Sequence, residues 1–171
     1  MADEKKSDEE KPESRIKYRK GYSAGIREED EKRTAIARGY EMDISPKKAY
    51  EVCNAIRGMN VETAEKFLEE VISLRRPVPI RRYNQETAHK KGHTGPGRYP
   101  VKVAYAILKV IREAKANADF KGLDEEGMKL AHIAASRGRI VQARMPRAHG
   151  RSTEWNEQTT TIEVVLKSKE K

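Results

Sequence analysis

The chain has 171 residues, the length of one ordinary domain plus a tail, with 36% hydrophobic residues, 37% charged residues and a net charge of +9, so a core is possible but thin. Its longest apolar runs fall well short of the ~18–20 residues that span a bilayer, and its single cysteine, Cys53, excludes an intramolecular disulfide and a multi-cysteine zinc site. The basic excess is clustered, which points to a polyanionic partner, nucleic acid first, over a soluble protein with a merely solvated basic face.

In chain order, residues 1–29 read as an acidic and then basic polar tail, largely disordered or ordered by RNA, with no apolar stretch of a secretory signal. Residues 30–171 are the expected domain. "RTAIARGY" is a short strand. "SPKKAYEVCNAIRG" has Ser45 at the N-cap, Pro46 at the first helical position and Gly58 just past the end, with Ala49, Val52, Cys53 and Ile56 on one face. Cys53 in that stripe is a structural thiol rather than a nucleophile. Asn60 opens a second helix with the stripe Ala64, Phe67, Leu68 and Val71, ended by Pro77 and Pro79. A third begins near Pro100, buries Val103, Ala104, Ile107, Leu108, Ile111 and Ala114, and stops at Gly122.

Two strands follow. "MKLAHIAAS" alternates, with Leu130, His132 and Ala134 facing one way and Ala131, Ile133 and Ala135 the other. "TTTIEVVLK" places Thr160, Ile162, Val164 and Leu166 on a helix-packed face, and Glu163 and Lys167 on a solvent face. Together they are the legs of one long antiparallel hairpin over residues 128–167.

Between the legs lies "RIVQARMPRAHGRS", with four arginines, one histidine and no acid. From Ser136 to a tip near His149 the hairpin would reach about 43 Å. A two-stranded ribbon alone in water is marginal, and arginines along it repel one another, so something it inserts into must stabilise it. Arginine suits RNA because its planar fork binds phosphate bidentately and stacks on bases. Pro146 and Gly150 restrict and re-aim the tip. A disordered basic loop is the plainer alternative, opposed by the strands that fix its ends. Trp155 either stacks on a base or covers the hairpin's side; the sequence leaves both open.

A second basic extension, residues 75–99, carries Arg75, Arg76, Arg81, Arg82, Lys90, Lys91 and Arg98 against Glu86 alone. It lacks strong periodicity, and its interleaved Tyr83 and Tyr99 suit RNA phosphates and splayed bases. His89 and His93 have a metal-ligand spacing only if helical, which Gly92 opposes. "GHTGPG" lacks the Lys-Ser/Thr of a phosphate-binding loop. Ser152, Thr153 and Glu154 have no recognisable His–Asp partner, and His132 reads as a core histidine. No catalytic residue, metal or cofactor is expected, and the chain is read as cytoplasmic and not an enzyme.

The blocks "ISPKKAYEVCNAIRG", "VETAEKFLEEVI", "RYPVKVAYAILKVIREAKANAD", "HIAASRGRIVQARMPRAHGRST" and "TTTIEVVL" resemble, in this order, the universal large-subunit ribosomal protein family numbered twenty-two in bacteria. The resemblance covers residues 30–167, and the basic insertion is similar to the archaeal and eukaryotic form, seventeen in the eukaryotic count. It implies an α+β fold, with three helices packed on a small antiparallel sheet and one long protruding hairpin. It also implies a structural constituent of the large subunit that binds rRNA, aids assembly and lines the nascent-peptide exit tunnel. Carried onto this chain, Arg144, Met145, Pro146, Arg147, Ala148, His149 and Gly150 would line the tunnel, while Arg137, Arg139 and Arg151 would grip rRNA. The implied partners are large-subunit rRNA, neighbouring ribosomal proteins and the nascent polypeptide, with no membrane and no homo-oligomer. A free RNA- or DNA-binding regulator is the alternative, and an enzyme acting on nucleic acid a third.

Overall fold

The computed structural model describes residues 16–18, 23–27, 31–92, 94–123 and 127–168. The acidic stretch 1–14 and His93 lie outside the described residues. Strand β1 (Ile16–Tyr18) pairs antiparallel with β2 (Gly25–Arg27). Then come β3 (Thr34–Met42) and two helices, α1 (Pro46–Ile56) and α2 (Val61–Ile72). The basic insertion supplies β4 (Val78–Pro79), β5 (His89–Lys90) and β6 (Gly95–Arg98) before α3 (Val101–Phe120). The chain ends with β7 (Lys129–Val141), β8 (Arg144–Pro146), β9 (Ser152–Glu154) and β10 (Glu157–Lys167).

The architecture is α+β, three helices on an antiparallel sheet in the order β3-β10-β7. All the apolar stripe residues expected on the three helices are buried, against Ile162, Val164 and Leu166 of the central strand. A fully buried Leu or Ile side chain contributes roughly 1.5–3 kcal/mol, so these stripes, more than helix propensity, hold the body together. Ser45 and Asn60 occupy the N-cap positions but make no side-chain cap bond. The α1–α2 connection is instead tied to the base of β7 through Val61 N–H to Met128 O (3.0 Å) and Leu130 N–H to Met59 O (2.9 Å). At the end of α3, Gly122 is left-handed (φ 67°), and the bonds Leu123 N–H to Ala118 O and Gly122 N–H to Asp119 O close a Schellman cap.

Three sequence expectations are corrected. Helix α2 stops at Ile72 rather than at the prolines, because Leu74 takes the left-handed conformation (φ 60°) and Arg75 N–H returns to Glu70 O at 2.9 Å. The strict alternation expected in β7 is broken. Val165 pairs with His132 but Leu166 with Leu130, so Ala131 is an extra residue, and both Leu130 and Ile133 are buried in the core. Glu163 does not face solvent. It is 4% exposed, with Ser23 N–H donating to its Oε2 at 2.9 Å and the Ser23 hydroxyl to its Oε1. A segment far away in sequence therefore covers this part of the sheet's outer face, which no strand-level pattern encodes.

Candidate nucleic-acid interface

The hairpin is built by ladder pairing that continues beyond the body. Val141 pairs with Glu157, and past a short gap Arg144, Met145 and Pro146 pair with Glu154, Thr153 and Ser152. Trp155 N–H to Ala143 O (2.7 Å) bridges the gap, and Arg147 N–H to Arg151 O (2.8 Å) closes the tip. His149 (φ 59°) and Gly150 (φ 67°) are both left-handed and turn the chain. The aim of the finger is set at its base by a bulge. Gln158 pairs with Ile140 but Thr160 with Arg137, so two residues of β7 oppose Thr159 alone. Gly138 fits here because a Cβ on it would lie 2.5 Å from Thr159 Oγ1, which itself donates to Arg139 O at 2.8 Å.

From Arg139 to Glu157 every residue but the half-buried Met145 is exposed, including Ile140, Val141 and Trp155. Arg139, Arg144, Arg147 and Arg151 therefore stand on a ribbon with no core on either side, while Arg137, also exposed, sits at its base opposite buried Thr160. Arg147 Nε donates to Thr153 Oγ1 at 3.2 Å, which orients one guanidinium across the tip.

The basic insertion is not the structureless loop that its sequence suggests. Its three short strands form a small antiparallel sheet in the order β4-β6-β5, rooted in the core through buried Val78. Strands of two to four residues carry too little alternation to be read. Its fixed point is Glu51 of α1, 1% exposed, whose carboxylate accepts the backbone N–H groups of Arg81 (3.1 Å), Arg82 (2.7 Å) and Tyr83 (3.4 Å). Arg82 then lies 5.4 Å from the Tyr50 ring and 5.5 Å from that of Tyr83, while Lys47 is 5.4 Å from Tyr83. Arg75, Arg81, Lys91 and Arg98 are exposed and Lys90 is half-buried, its ammonium 5.5 Å from the Tyr99 ring. Arg76 differs from these. It pairs with Glu70 at 3.4 Å and covers the Phe67 ring at 4.8 Å.

Sequence reasoning missed Glu51, Tyr50 and Lys47. Nothing in the α1 pattern marks Glu51, since the groups it binds arrive from thirty residues downstream. Reactive chemistry has no assembled set among the described residues. Burial pushes the Cys53 thiol up to about 12, outweighing the lowering by Arg57. Ser23, His132 and Glu163 meet, but Ser23 Oγ and Glu163 Oε1 both approach the same nitrogen, His132 Nε2, each at 3.2 Å for that pairing. A relay needs the two ring nitrogens to face different partners, so the trio is a clasp.

Fold and surface together define a class: a small α+β body that carries cationic arms outside its core. Residues 37–167 match the family described as Ribosomal protein L22p/L17e. The chain belongs to that family, which is structural and not enzymatic. Among its relatives are proteins named large ribosomal subunit protein uL22. That of Methanothrix thermoacetophila is 48% identical over 80% of this chain and 91% of its own length. The Archaeoglobus fulgidus protein is 44% identical over 90% and 97%, and that of Methanocella arvoryzae 43% over 85% and 95%.

Proposed function

We propose that this chain is a cytoplasmic structural constituent of the large ribosomal subunit, binding rRNA through its two basic arms and aiding subunit assembly. In this reading Arg75, Arg76, Arg81, Arg82, Lys90, Lys91 and Arg98 of the insertion contact rRNA. Arg137, Arg139, Arg144, Arg147 and Arg151 do so along the finger. The stretch Arg144–Gly150 lines the nascent-peptide exit tunnel. The observation that carries it is the acid-free outgoing strand from Arg139 to Arg151, its arginines all exposed, held in register by a ladder and covered by nothing in the body. Such a ribbon is stable only where another surface surrounds it, and RNA supplies both the charge and the walls. The relatives' names, large ribosomal subunit protein, support the same placement.

Sedimentation of a native extract tests the reading. The protein is expected only in large-subunit, whole-ribosome and polysome fractions, and to follow large subunits when ribosomes are dissociated. Recovery mainly as free protein, or on messages after the subunits are removed, would instead indicate a free nucleic-acid-binding regulator.

A further inference from the structure

We infer that the junction of α1, the basic insertion and the base of the finger is a site for one unstacked nucleotide of single-stranded RNA, which rests on the RNA-binding reading above. Two open clefts flank the Arg82 and Tyr83 side chains. One, of about 440 Å³, lies between α1 and the insertion, with Ser45, Asn84 and Gln85 on its walls. The other, of about 230 Å³, runs from Tyr50 to Arg137 at the base of the finger. Lys47, Arg82 and Tyr83 line both.

The chemistry of the walls selects the ligand. RNA-binding proteins take splayed bases on aromatic rings and guanidinium planes and read their edges with polar groups. Tyr83 offers the ring, 37% exposed, while the Asn84 and Gln85 amides and the Ser45 hydroxyl can pair with base edges in the larger cleft. Arg137 lines the smaller cleft and Arg82 both, so the phosphate of the same nucleotide would lie between these two guanidinium groups. Lys48 and Arg98 are further cations of the larger cleft. The Lys47 ammonium and the Arg82 guanidinium lie 5.4 and 5.5 Å from the Tyr83 ring; an incoming base would displace the flexible Lys47 side chain toward its phosphate and stack beside the Arg82 plane. Small-ligand pockets run about 300–1,000 Å³, so the 440 Å³ cleft admits a base with its sugar and not a duplex. Glu51 is the positioning residue. By holding the backbone of Arg81, Arg82 and Tyr83 it sets the stacking platform before RNA arrives.

The test uses the full chain and a short uridine-rich single strand carrying one internal 2-aminopurine, whose emission is quenched when it stacks. Binding with quenching is expected for the unaltered protein. Tyr83→Ala should lose the quenching and bind about 5- to 150-fold more weakly, the range for removing one stacking aromatic. Tyr83→Phe should keep both, and amide protection at Arg82 in Tyr83→Ala verifies that the insertion is still docked. If the unaltered protein binds the strand without quenching, or if Tyr83→Ala quenches as fully as the unaltered protein, the nucleotide site is wrong while RNA binding stands. If no binding occurs even at low salt, the RNA-binding reading itself fails, and the site with it.

Discussion

Arg82 N–H donates to Glu51 Oε1 at 2.7 Å, and with the N–H groups of Arg81 and Tyr83 it makes a buried carboxylate the polar anchor of the basic insertion, beside the apolar anchors Val78 and Ile80. Glu51→Gln keeps the volume but points an NH2 group at N–H donors. Leaving buried polar groups unsatisfied costs about 1–3 kcal/mol. The variant is expected to lose roughly that much stability in urea denaturation and the slow amide exchange of Arg82. Unchanged exchange there would show that the strands β4–β6 hold the arm unaided.

Leu74 ends α2 in a left-handed conformation while 60% exposed, so its side chain gains little from burial. A non-glycine residue there is strained by roughly 1–2 kcal/mol, partly offset by the extra freedom glycine has when unfolded. Leu74→Gly is therefore expected to stabilise the body by about 0.5–1 kcal/mol in equilibrium unfolding, and destabilisation would contradict the cap.

Gly138 sets the bulge from which the finger departs. Gly138→Ala drives a Cβ against Thr159 Oγ1 and to within 3.3 Å of the Thr159 backbone. Overpacking of this kind costs about 1–3 kcal/mol. The loss should appear as faster amide exchange around Arg139 and Thr159, with the helical core unaffected. Adding Thr159→Ala removes the nearer clash and should recover part of it; no recovery would mean that the backbone contact dominates.

The clasp on the outer face responds to acid. Burial raises the Glu163 carboxyl, but the Ser23 hydroxyl and N–H and the His132 ring more than offset it, leaving it below its ordinary 4.5. A depressed carboxylate stabilises the fold above its unfolded value and loses that contribution as pH falls through its folded one. The stability gap between the natural chain and Glu163→Gln should thus be full at pH 6–7 and narrow below about 4.5. A gap that stays constant down to pH 3 would contradict the clasp.

Much of the body was legible because burial imposes a period. The helix stripes from Ala49 to Ala114 and the face Ile162, Val164, Leu166 are all found where spacing puts them. The finger was legible as charge between two strand-like legs. What escaped were contacts between distant segments: Ser23 on Glu163, and Glu51 on Arg82. Each joins groups whose local sequence looks solvent-exposed, and only the tertiary fold buries the two carboxylates, Glu51 and Glu163. The bulges at Ala131 and Gly138 escaped for a related reason. One inserted residue shifts a register without changing composition.

On the reading proposed above, the finger is held by what surrounds it and not by the protein. Amide exchange of the segment Arg144–Glu154, compared in the free chain and in reconstituted large subunits, decides between these sources of order. Despite its ladder, the segment is expected to exchange rapidly in the free chain, near the rate of an unstructured peptide, and to become strongly protected in the subunit. Equal protection in both states, or equally rapid exchange in both, would contradict the account.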